Sequence, residues 1–89
     1  MGRVTPPLQY KEKEKMKKKQ INKLEEELNE ASFLFSYFEK RGDYKLKAIN
    51  AGVFNGLRIA IDIMNYRVVD TGKIENEGVT YRSFCVKRK

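Results

Sequence analysis

Residues 40–65 read KRGDYKLKAINAGVFNGLRIAIDIMN, and how they divide decides the fold. Lys40-Arg41-Gly42-Asp43 is a break between two helices. Glycine suits the position just past a helix end, and Lys40 and Arg41 complement the negative end of the helix dipole. Asp43 has the side chain of an N-cap. So short a link predicts an antiparallel helical hairpin. The second helix then runs from about Tyr44 to Asn65, although Gly52 and Gly56 each cost about 1 kcal/mol against alanine. At about 100° per residue, Lys47, Ala51, Asn55, Arg58, Asp62 and Asn65 share a polar arc. Leu46, Val53, Phe54, Leu57, Ile61 and Met64 make a bulky flank. Ala48, Gly52, Gly56 and Ala60 form a row of small residues at i, i+4 spacing. Such a row leaves a groove where another backbone approaches closely, and dispersion contacts along it offset the glycine cost. Three occupants fit it: the rest of the same chain, a second copy, or a flat or phosphorylated ligand.

Upstream of the break, Ile21, Leu24, Leu28, Ala31, Phe35 and Phe38 are spaced 3, 4, 3, 4, 3. That is a heptad-like seam on one helical face. The seam does not extend back through Glu14 and Lys17, so packing is expected to start near Ile21. Glu25, Glu26, Glu27 and Glu30 give this helix an acidic outer face. Ile21, Leu24 and Leu28, with the Ala48/Gly52/Gly56/Ala60 row, are the expected oligomer interface. Residues 1–19 read as a flexible basic arm, with Pro6-Pro7 followed by KEKEKMKKK, and residues 20–89 as the single folded domain.

Downstream the pattern turns to strands. Tyr66–Val69 and Val79–Val86 are rich in strand formers, while Asp70-Thr71-Gly72 and Glu75–Gly78 carry turn chemistry. The expected class is therefore α+β: an antiparallel two-helix hairpin followed by a C-terminal β-hairpin. Eighty-nine residues, part of them an arm, build only a small core. One cysteine, Cys85, permits no intrachain disulfide, and there is no histidine. Self-association is the remaining way to stabilise such a fold, so a homo-oligomer is expected.

The chemistry narrows by elimination. Val68-Val69-Asp70-Thr71-Gly72 resembles the catalytic segment of retroviral-type aspartic proteases over five residues. In that family the tripeptide lies early in an all-β chain and precedes a small residue; here it follows a long helix and precedes Lys73. A turn at a strand end is the simpler reading. No spacing singles out a nucleophile and base, and no set of carboxylates or thiols has metal-ligand spacing. The chain reads as non-enzymatic, with no cofactor and no metal. The net charge of +7 points to an anionic partner. Arg58, Arg67, Tyr81, Arg82, Lys87 and Arg88 are the candidate ligand-binding residues, because arginine pairs with phosphate and tyrosine stacks on bases. No stretch is long and apolar enough for a membrane span, and the cysteine usage fits a cytoplasmic setting.

In its Lys/Asn/Ile-rich composition, short length and helix-turn-helix-hairpin layout, the chain resembles accessory proteins of phages and prophages of low-GC Gram-positive bacteria. That resemblance is one of style across the whole chain. It implies a small protein that binds and blocks: one that sequesters nucleic acid or a signalling nucleotide, or one that docks a helical face on a host defence protein and inhibits it.

Overall fold

Helix α1 spans Lys18–Arg41 and helix α2 Tyr44–Ile63 in the computed structural model, which describes residues 16–89. The expectation for residues 1–15 lies outside the described residues. At the start of α1 the Gln20 side chain accepts the Lys17 N–H at 3.0 Å. Packing begins earlier than the Ile21 seam, since Met16 already lies against the core.

The link between the helices is built as the Lys-Arg-Gly-Asp break requires. Gly42 sits at φ 77°, a left-handed conformation that glycine adopts without steric cost. Its N–H reaches Glu39 O at 3.1 Å and the Asp43 N–H reaches Phe38 O at 2.9 Å, which satisfies two terminal carbonyls. Asp43 Oδ1 then accepts the Leu46 N–H at 3.1 Å and caps α2.

Strand β1 (Tyr66–Asn76) and strand β2 (Val79–Arg88) form an antiparallel two-stranded sheet. The turn is only Glu77-Gly78, both at positive φ, as the tight mirror-image hairpin turn demands. The expected turn at Asp70-Thr71-Gly72 is corrected here: β1 runs straight through it. The extra residue is absorbed as a bulge, with the register shifting between Asp70 and Gly72. Asp70 holds the bulge. Its carboxylate accepts the Gly72 N–H at 2.8 Å and the Arg82 guanidinium at 2.9 Å. The residue that looked like a protease aspartate is thus a structural acceptor.

The core is small. Leu28 and Ile61 are fully buried, joined by Tyr66 and Val86, with Ile21, Leu24, Leu57 and Val68 packed around them. Of the subunit interface expected of Ile21, Leu24 and Leu28, Leu28 is instead intrachain core, with Ile21 and Leu24 partly buried against it. Leu28, with no exposed surface, has nothing left to offer another chain. The buried Tyr66 hydroxyl accepts the Met16 N–H at 3.0 Å.

A second row of contacts joins α1 to β2. Glu25 Oε2 accepts the Val86 N–H at 2.8 Å. Asn29 takes both backbone groups of Phe84: its Oδ1 accepts the N–H at 2.7 Å and its Nδ2 donates to the carbonyl at 3.1 Å. Ser32 Oγ donates to Arg82 O at 2.6 Å. Three polar side chains at i, i+4 and i+7 thereby occupy the outer edge of β2, which would otherwise present unpaired backbone groups.

Candidate phosphate-binding end

The register of the hairpin and the path of α1 bring four chain segments to one end of the molecule. Met16 meets Tyr66, Tyr66 lies opposite Arg88, Arg67 lies opposite Lys87, and the Lys89 N–H reaches Asn65 O at 3.3 Å. Lys17, Lys18, Lys19, Arg67, Lys87, Arg88 and Lys89 are all exposed there. Carboxylates stand there too: Asp62 pairs with Lys89, Glu25 accepts the Val86 N–H, and Glu26 lies beside Met16 and Lys19. Basic side chains are in excess and spread over the surface, beside an open groove of about 660 Å³ lined by Met16, Lys19, Lys23, Glu26 and Met64.

Of the six residues expected to bind a ligand, the structure places Arg67, Lys87 and Arg88 at this end. Arg82 is elsewhere. It lies opposite Lys73, not Arg67, so the small anion site expected of an Arg67–Arg82 pair does not form. Its guanidinium is engaged by Asp70. Tyr81 packs edge-on against Phe33, with ring centroids 5.2 Å apart, and belongs to the packing between hairpin and α1. Arg58 is exposed on α2, one turn before Asp62. The Arg58–Asp62 pair that their spacing allows is displaced by the Asp62–Lys89 pair.

A separate groove of about 370 Å³ opens between α1, α2 and β2. Phe35, Phe54 and Phe84 wall it, and Ser36, Asn55 and Arg82 sit on its polar side. Phe54 and Phe84 touch across it, with centroids 4.8 Å apart. Its size falls within the range of small-ligand sites. Its one cationic side chain is already neutralised by Asp70, which leaves it poorly suited to a phosphorylated ligand.

The row Ala48, Gly52, Gly56 and Ala60 faces away from the fold, and all four residues are exposed. A Cβ built on Gly52 or Gly56 meets nothing within 4 Å. No part of the described chain fills the groove: neither α1 nor the hairpin reaches it. The bulky flank, through Phe54, Leu57 and Ile61, packs inward instead.

Sequence reasoning missed Glu25, Asn29 and Ser32, which fix β2 and so hold Lys87 and Arg88 in place. In the sequence Glu25 reads as part of the acidic outer face. The available signal was their own i, i+4, i+7 spacing along one side of the apolar seam. Among the described residues no three acidic or thiol side chains gather as a metal site requires, and no helix is long and apolar enough to cross a membrane. Comparison with protein-family models, curated proteins and solved structures finds no match to this chain.

Proposed function

We propose that this chain is a non-enzymatic binding protein that holds nucleic acid by its phosphate backbone. The observation that carries the reading is the convergence of Lys17–Lys19, Arg67 and Lys87–Lys89 on one end. An open cationic surface matches a polyanion, where many weak contacts add, better than a single nucleotide, which needs an enclosing pocket. Tyr66 is buried, so this end offers no aromatic platform from the hairpin for unstacked bases. Binding is therefore to backbone, with little sequence preference.

Fluorescence anisotropy with a random-sequence duplex tests this. If the end engages three to five phosphates, log K falls against log salt with a slope of roughly −3 to −5. The triple change Arg67→Glu, Lys87→Glu, Arg88→Glu is expected to remove binding with the circular dichroism spectrum retained. Arg82→Ala is expected to leave binding unchanged. Absence of binding at low salt, or equal binding by the triple variant, overturns the reading.

A further inference from the structure

We infer that the outward face of α2 is the contact surface for a second copy of this chain, with the two α2 helices antiparallel about a two-fold axis at Phe54. Lys45, Ile49, Gly52, Gly56, Ile59 and Ile63 follow one another at spacings of 4, 3, 4, 3, 4 along that face. This is the heptad seam of two helices packed nearly side by side. Ile49 is 53% exposed, Ile59 56% and Ile63 79%. Seven of the eight large apolar side chains exposed in the described residues belong to α2 or to Met64 just beyond it. An apolar face this continuous marks a contact surface.

Two observations select a second copy, antiparallel, as the occupant. The first is the symmetry of the face. In a register centred on Phe54, Gly52 stands against Gly56, Ile49 against Ile59 and Lys45 against Ile63. The small residues lie where the two axes are closest, and bulk lies equally on either side. A two-fold pair needs that arrangement, whereas an unrelated partner does not. Charge is the second. The antiparallel register places the two basic ends at opposite extremes of the dimer, whereas a parallel pair would press them together. Area sets the strength: from Lys45 to Ile63 the strip is about 27 Å long on a helix about 10–12 Å across, roughly 300 Å² per copy. Two such strips fall below the roughly 1,200 Å² of a stable interface, so the dimer is weak and reversible.

This inference stands on α2 and is independent of the phosphate-binding end. Sedimentation velocity from about 1 to about 500 μM tests it. The wild type should move from the 10.5 kDa monomer to twice that mass. Gly56→Leu should stay monomeric throughout with an unchanged circular dichroism spectrum. Cross-linking then tests the register in a Cys85→Ser background under mild oxidation. Lys45→Cys combined with Ile63→Cys should give a covalent dimer, because the two positions face each other across the axis. Lys45→Cys alone should not, because its copies lie at opposite ends. A wild type that remains monomeric at the highest concentration assigns the face to a different protein and overturns the inference. So does a Gly56→Leu variant that still dimerises, or a Lys45→Cys variant that cross-links by itself.

Discussion

Helices α1 and α2 are alike in length and joined by two residues, yet they treat their side chains in opposite ways. In α1 the apolar seam is turned inward, and the polar side chains beside it, Glu25, Asn29 and Ser32, bind the backbone of β2. In α2 only part of the apolar circumference is used. Ile61 is fully buried, Phe54 and Leu57 pack near it, and Ile49, Val53, Ile59 and Ile63 remain in solvent. A helix with one apolar stripe has one way to face a core. A helix apolar over most of its surface has several, and its neighbours choose among them. The inward choice here leaves the small-residue row outside.

The contrast can be broken most forcefully at Leu28. Leu28→Ala removes a side chain with no exposure and leaves a cavity, so a loss of about 2–5 kcal/mol is expected by urea denaturation. Ile59→Ala, on the outer face of α2, is expected to change the stability of the dilute monomer by less than about 1 kcal/mol, apart from its slight helix-propensity gain. If the two variants are equally destabilised, α2 is not oriented as described. Asn29→Ala is next in size. It strips both Phe84 backbone groups of their partner at once, and about 1–3 kcal/mol should be lost. A cost of a few tenths would mean that water replaces Asn29 and that α1 does not fix the strand. The smallest effect has the opposite sign. Gly52→Ala adds a methyl group that meets nothing within 4 Å, so the dilute monomer should gain up to about 1 kcal/mol from helix propensity alone. A destabilised Gly52→Ala monomer would place an unseen part of the chain over the groove.

Local chemistry made much of this architecture legible. Gly42 and Asp43 act as the helix stop and start that their residue types specify, and the Glu77-Gly78 turn falls within the expected Glu75–Gly78 segment. What failed was the inference from local chemistry to tertiary role. Asp70-Thr71-Gly72 has turn composition, yet ladder bonds on both sides carry the strand through it as a bulge. Arg67 and Arg82 are both strand arginines, but the Glu77-Gly78 turn sets a register in which Arg82 faces Lys73 and Arg67 faces Lys87. The basic end was half legible. Arg67, Lys87 and Arg88, basic residues interleaved with aromatics in the sequence, come together in the register of the hairpin. Their union with Lys17–Lys19 depends on the Met16–Tyr66 contact, which joins residues far apart in sequence and leaves no periodic trace. The aromatic groove was illegible for a similar reason, because Phe35, Phe54 and Phe84 come from three separate elements.

The way α1 covers β2 limits how the sheet can grow. An open sheet ordinarily has two edges, and fibril extension needs both: one to join the growing stack and one to receive the next molecule. Here the β2 edge is occupied by carboxylate, amide and hydroxyl groups from α1, while β1 has no strand beyond it among the described residues. A strand that adds to β1 finds no further acceptor on the far side, so stacking ends after one addition. In a chain with so little buried surface, that one-sided closure guards against runaway aggregation without a longer sheet or a larger core.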